Sequence, residues 1–169
     1  MQIKNKRAGV IMTLDSNLIF WPGLVIVFGI PTLIFIPKEQ YKKFLIFGFV
    51  LGGVVDVLTI VVIGNMMGEF HYIAGSLEAF GIPVFIPIAF TFVWMLFLYF
   101  LPFRVEFLIP YVIGFVCFAI MLGFVQQNLG FFQFEHGPTH AVISQVITFG
   151  IWFSASALIY RAYNKELSL

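Results

Sequence analysis

The chain is organised as long apolar runs separated by short polar segments. A bilayer core about 30 Å thick requires roughly 20 apolar residues for one helical crossing. Five runs reach that length. We predict helices there, because an isolated strand or irregular segment cannot satisfy its backbone hydrogen bonds in lipid. The predicted spans cover residues 17–37, 44–65, 81–101, 107–127 and 141–160.

Prolines lie inside three of these spans, namely Pro22 and Pro31 in the first, Pro87 in the third and Pro110 in the fourth. Membrane helices tolerate proline, so we expect kinks and not breaks. The predicted fold class is all-α: a polytopic membrane protein, a bundle of five transmembrane helices with prolines in spans 1, 3 and 4. Residues 1–169 are predicted to form a single integral membrane domain.

Composition supports this class, with 61% hydrophobic and 10% charged residues and a mean hydropathy of +1.03. Such a chain cannot cover itself with polar surface, which excludes a soluble globule and a disordered chain. A net charge of +1 leaves no basic patch for a nucleic-acid partner. The single cysteine, Cys117, excludes an internal disulfide and a multi-cysteine metal site, and no cofactor is predicted.

The basic residues predict the orientation. The first loop, the third loop and the C-terminal tail share one side, which carries Lys38, Lys42, Lys43, Arg104, Arg161 and Lys165. The second and fourth loops contain no lysine or arginine. By the positive-inside rule we expect a multi-pass protein of the cell membrane with its C-terminus in the cytoplasm and its N-terminus outside. The basic segment 4–7 opposes this orientation, unless it is short enough to be translocated or translation begins at Met12.

Small residues recur in spans two and five, at Gly48, Gly52, Gly150 and Ser154. Small residues four apart let helix backbones approach closely in lipid. We expect them to pack inside the bundle, with an interface between copies of the chain as the alternative. Spans three and four, rich in Phe, Leu and Trp, are predicted to face lipid substantially. The expected partners are the lipid bilayer, a second copy or other membrane proteins.

Asp56 is the most unusual residue of the spans, about 18 Å along span two from Phe44 and slightly beyond the midplane. A carboxylate at that depth costs several kcal/mol unless it is paired, hydrated or protonated. No span contains a lysine or arginine. We therefore expect neutral hydrogen-bond donors around Asp56: Thr59, Gln126, Ser144 or Gln145. Its role is either functional or limited to helix packing.

Most other polar residues cluster on the outer side of the predicted bundle. We predict an outward-facing polar vestibule between spans two, four and five, with Asp56 as its floor. The candidate catalytic residues are Asp56, Glu69, His71 and His140. The candidate binding residues of the vestibule are Asn65, Gln126, Gln127, Glu135, His136, Ser144 and Gln145.

A metal site is the less favoured use of the histidines. His136 and His140 are four apart, but Pro138 between them predicts that the last helix begins there and leaves His136 in the loop. Glu69 with His71, and Glu135 with His136, offer nitrogen and oxygen ligands if the two loops meet. No HExxH or comparable motif supports a site, so we predict no bound metal and solvated side chains.

Three short segments carry a resemblance: FIPKEQYKKF (35–44), GVVDVL (53–58) and GEFHY (68–72). In these the first half of the chain resembles small multi-span membrane proteins of Gram-positive, often spore-forming, bacteria. The resemblance implies a plasma-membrane location and no particular activity. No functional residue is carried over from it.

Catalytic signatures such as a phosphate-binding glycine loop or a GxSxG elbow are missing from the sequence. The favoured hypothesis is therefore an accessory or structural membrane component with a polar vestibule. One alternative is an intramembrane enzyme acting on a lipid or isoprenoid, with Asp56 as general acid assisted by Glu69, His71 or His140. A further alternative is a small proton- or cation-coupled carrier, although five spans do not form an inverted repeat.

Overall fold

The computed structural model describes residues 3–73, 78–79 and 81–166, with side chains from position 19 to 164. These residues form one helix for each predicted span, together with four short strands. The helices are α1 (Ile3–Phe35), α2 (Lys38–Met66), α3 (Phe85–Tyr99), α4 (Val105–Asn128) and α5 (Pro138–Glu166). The strands are β1 (Phe70–Tyr72), β2 (Glu78–Ala79), β3 (Ile82–Pro83) and β4 (Phe132–Phe134). Strand β1 pairs with β4 and β2 with β3, both antiparallel.

Three of these helices are long and apolar enough to cross a membrane: Lys38–Met66, Val105–Asn128 and Pro138–Asn164. The apolar helical stretches Ile19–Phe35 and Phe85–Tyr99 are shorter. The prediction of a helical membrane protein is therefore confirmed in its class, and three of the five predicted crossings meet the length requirement. The third predicted span is shortened because Ile82 and Pro83 extend into β3 before the helix begins.

The observed helix boundaries differ most from the predicted ones where the sequence suggests a loop. Residues 38–43 form the first turns of α2, so that only Ile36 and Pro37 separate it from α1. Proline supplies a fixed φ, here −59°, just before the helix, and Glu39 in the first turn interacts favourably with the helix dipole. Likewise, α1 begins at Ile3, well before the predicted start at residue 17.

The prolines do not interrupt the helices, as predicted. Pro22 and Pro31 lie inside α1, and Pro110 lies inside α4. Pro87 lies in the first turn of α3, where its missing N–H removes no intrahelical hydrogen bond.

Helix α3 is the centre of the bundle, and the prediction that it faces lipid is wrong. Trp94, Met95 and Phe97 are fully buried between α2, α5 and the remaining helices. By contrast, α4 leaves most of its apolar side chains exposed or only partly buried, as predicted. The sequence could not separate the two cases, because a helix surrounded by protein and a helix surrounded by lipid are both apolar on every face.

The glycines of α2 bring it into backbone contact with α3. A Cβ atom built on Gly52 would lie 2.6 Å from the carbonyl oxygen of Phe90, and one on Gly48 would lie 2.6 Å from that of Thr91. The small-residue spacing in span two therefore serves packing inside the chain, as expected. Gly150 of α5 faces open space instead.

Helix α2 is π-helical over Phe49–Val54 and Ile60–Met66, on both sides of the short α-helical turn Val55–Thr59 that contains Asp56. No pattern in the sequence predicts these π-helical segments. Such segments occur frequently at functional sites. Trp152 of α5 donates its indole N–H to the carbonyl oxygen of Leu51 at 2.5 Å. This hydrogen bond attaches α5 to the first π-helical segment.

We predict that Gly52→Ala lowers the free energy of unfolding by about 1–3 kcal/mol, because the new methyl group overlaps rigid backbone atoms of α3. Gly114→Ala is the matched control, since a Cβ atom at Gly114 meets nothing within 4 Å. Its effect should stay below about 1 kcal/mol. Denaturation in detergent micelles, followed by circular dichroism, measures both. Equal stability of the two variants would contradict the close packing of α2 on α3.

Candidate functional site

A cavity of about 60 Å³ lies between α2, α4 and α5, which is enough for a few water molecules or a small organic group. Three helices that are distant in sequence contribute its polar lining. These polar residues are Asp56 and Thr59 from α2, Gln126 from α4, and Ser144, Gln145 and Thr148 from α5.

Strands β1 and β4 cover one end of this cavity, and we call the pair the lid. Its residues alternate: Phe70, Tyr72, Phe132 and Phe134 line the cavity, whereas His71 and Gln133 are exposed. From the sequence, the segments that form β1 and β4 are expected to be loops. Their apolar–polar–apolar alternation was the available signal for strands, although three residues are few for such a pattern.

Two glycines direct the chain from the helix ends into the lid. Gly68 after α2 and Gly130 after α4 adopt φ of 68° and 77°, a left-handed conformation that glycine adopts without strain. At the end of α4, Phe131 N–H donates to the Gln126 carbonyl and Gly130 N–H donates to that of Gln127, each at 2.9 Å. This is a Schellman motif, which caps α4 and starts β4.

Asp56 is the central group of the cavity. Its side chain is 3% exposed, and its Oδ2 atom has no hydrogen-bond partner among the described residues. The Thr59 hydroxyl does not supply the expected donor, since it donates to the carbonyl oxygen of Val55 at 2.8 Å. A helical threonine commonly bonds the carbonyl four residues back. Gln145 Oε1 is a second buried cavity atom without a partner in the described part of the chain.

The lid contributes one further polar group, the phenol of Tyr72. Burial raises the pKa of Tyr72 well above its ordinary value, and the charge of the nearby Asp56 raises that pKa further. The phenol therefore remains neutral and keeps its proton available as a hydrogen-bond donor at the cavity.

The predicted vestibule residues divide into two groups. Asp56, Glu69, Gln126, Ser144 and Gln145 line the cavity together. The remaining predicted residues are not part of the cavity lining: Asn65, His71, Gln127, Glu135, His136 and His140. Gln127 has a supporting position, since its Oε1 accepts the N–H of Phe134 at 3.1 Å and thereby attaches the lid to α4.

Acid–histidine pairs lie on the exposed side of the lid, and Glu69, which forms one of them, also lines the cavity. His140 Nδ1 lies 3.2 Å from Glu69 Oε2, and His71 Nδ1 contacts Glu135 Oε1. Helix α5 begins at Pro138, so His140 is helical and His136 lies in the preceding turn, as predicted. One ligand atom each from Glu69, His136 and His140 lies within 4.8 Å of the others, close enough for these three side chains to hold a metal ion.

The aromatic part of the site lies outside the predicted set of site residues. Phe90, Phe149 and Trp152 line the cavity from the helices, in addition to the four aromatic residues of the lid. Aromatic side chains are so frequent in this chain that the sequence position of any one of them carries little signal. Thr148, one turn after Ser144 on α5, was also outside the predicted set.

Comparison with known proteins identifies no relative of this chain: no protein-family model, curated protein or solved structure matches it.

Proposed function

We propose that the protein is a five-span component of the cell membrane, with its lid outside, that binds a small organic cation in the cavity at Asp56. The buried Oδ2 atom of Asp56, which has no hydrogen-bond partner among the described residues, is the observation that carries this proposal.

The packing of the shorter helices supports five crossings. Helix α3 contacts both α1 and α2 along its length, and α1 presents Ile26, Ile30 and Leu33 to its surroundings with more than half of each exposed. Exposed aliphatic side chains on a helix that packs alongside long apolar helices are stable in lipid and not in water.

The distribution of charge supports the orientation. Lys43 Nζ donates to Asn164 Oδ1 at 2.6 Å, and the guanidinium of Arg161 donates to the carbonyl oxygen of Pro102. These contacts gather basic side chains at the end of the bundle opposite the lid. The segments 66–80 and 128–140 contain no lysine or arginine. The positive-inside rule then assigns the lid to the outer side.

The chemistry of the cavity supports a cationic ligand. An ammonium group supplies both the charge and the hydrogen-bond donors that the Asp56 carboxyl lacks, and charge-assisted hydrogen bonds are roughly twice as strong as neutral ones. Aromatic faces attract organic cations through their quadrupole, and Phe90, Phe149 and Trp152 line the same space. No basic residue occurs among the described side chains of the lining to compete for the carboxyl group.

The hypotheses from the sequence are less well supported by this geometry. A purely structural or accessory bundle gains nothing from a buried carboxyl atom without a partner, since such an atom destabilises the fold. An enzyme that uses Asp56 as an acid would need its assisting groups close by. Of Glu69, His71 and His140, only Glu69 lines the cavity, where it pairs with His140, whereas the two histidines lie outside the described lining.

We predict that the purified protein binds ethylammonium saturably and that Asp56→Asn weakens the affinity at least about tenfold, equivalent to about 1.4 kcal/mol. The amide keeps the shape of the side chain but removes the negative charge. Glu78→Gln is the matched control, since it removes one carboxylate from an exposed position in β2. Isothermal titration calorimetry in detergent micelles measures the three affinities.

The same titration can contradict the proposal. Equal affinity of wild type and Asp56→Asn would exclude Asp56 as the binding group. A wild-type protein that binds neither ethylammonium nor tetramethylammonium would leave the structural role as the better hypothesis.

We predict that a cysteine at position 78 reacts with a membrane-impermeant maleimide on intact cells, whereas one at position 39 reacts only after permeabilisation. Glu78→Cys and Glu39→Cys are matched, because both replace exposed glutamates at opposite ends of the bundle. A Cys117→Ser background removes the native thiol, which is exposed on α4. Labelling of position 78 from the cytoplasm alone would show that the orientation is the reverse of the proposed one.

A further inference from the structure

We propose that Glu69, His136 and His140 form a binding site for a divalent metal ion of the zinc type on the exposed side of the lid. The site goes beyond the proposed function, since it requires neither Asp56 nor a ligand in the cavity. Its three side chains come from three different segments, and their juxtaposition is produced by the fold.

The pairing of β1 with β4 brings these segments together. Glu69 precedes β1, and His136 follows β4 by two residues. The N–H of Glu135 donates to the carbonyl oxygen of Glu69 at 3.1 Å, which extends the ladder by one step beyond the strands. Pro138 then starts α5 and places His140 in its first turn, next to His136.

The distances are close to those of a metal centre. Two ligands of a tetrahedral zinc ion are about 3.3 Å apart, given metal–ligand bonds of about 2.0–2.1 Å. His140 Nδ1 and Glu69 Oε2 are already 3.2 Å apart. The rings of His136 and His140 have centroids 4.6 Å apart. Since ligand atoms of all three residues lie within 4.8 Å of one another, adjustments of the exposed His136 and His140 toward the largely buried Glu69 complete the set.

The donor set favours one class of ion. Two imidazoles and one carboxylate suit zinc and similar transition metals, whereas calcium and magnesium prefer oxygen ligands alone. Three protein ligands also leave a fourth position of a tetrahedral ion open to water or another small ligand. Glu69 also lines the cavity, so the proposed metal site adjoins it.

The charges around the site are mixed. The N-terminus of α5 carries a partial positive charge, which opposes a cation at His140. Glu69 and Glu135 supply two carboxylates, of which Glu135 contacts His71. No lysine or arginine occurs between Lys43 and Arg104 or between Arg104 and Arg161. The negative charge of the carboxylates therefore outweighs the partial positive charge of the helix terminus.

The test uses the full-length protein in detergent, with any purification tag removed so that it adds no histidines. Zn²⁺ is titrated by calorimetry, and Co²⁺ absorption reports the coordination geometry. The wild type should bind one equivalent of Zn²⁺. Glu69→Gln, His136→Gln and His140→Gln should each weaken binding by at least about tenfold, since loss of supporting groups alone costs 10–100-fold at metal sites.

His71→Gln is the matched control, because it makes the same substitution on the same side of the lid outside the proposed ligand set. It should retain wild-type affinity for Zn²⁺, and so should Asp56→Asn, which separates this site from the cavity. Circular dichroism verifies that each variant is folded. No saturable Zn²⁺ binding by the wild type would overturn the proposal, as would equal losses in His71→Gln and in the three ligand variants.

Discussion

The close contact between α2 and α3 is the constraint on which the rest of this structure depends. At Gly48, Gly52 and Gly53 a single added carbon would lie 2.6 Å from atoms of α3, so the two helices pack at the limit that backbones allow. In lipid, such packing replaces the hydrophobic effect as the force that associates helices. The contact sets the position of α2, and with it the side on which Asp56 meets α4 and α5.

Two polar clusters are organised by the same lid. Its aromatic side chains, including Tyr72 and Phe132, close the cavity around Asp56. Its exposed side carries the contacts of His71 with Glu135 and of His140 with Glu69. A two-stranded ribbon is marginally stable in water by itself. Here it is held by packing on Trp21 and by the hydrogen bond from Phe134 to Gln127. Cavity and exposed cluster therefore depend on a single small element.

Particular residues show how far sequence reasoning reached. Pro138 correctly predicted the start of α5, and the glycine spacing in span two correctly predicted packing within the bundle. The prediction that α3 faces lipid is wrong. The prediction that Thr59 donates to Asp56 is also wrong, because its hydroxyl donates to the backbone of its own helix. These failures share a cause: both depend on the competing partners that a side chain finds only in the folded chain.

Hydropathy and helix-terminating residues are properties of the chain itself, which is why the sequence alone determined the membrane class, the five helices and the isolation of Asp56 among apolar residues. Only the tertiary structure decided which helix is central, because protein interior and lipid are equally apolar. It also decided that Gln126, Ser144 and Gln145 share a cavity with Asp56, and that His136 and His140 meet Glu69. The first grouping arises from the packing of α2 beside α4 and α5, and the second from antiparallel pairing of β1 with β4. Both are contacts between distant segments, for which no local pattern encodes the partner.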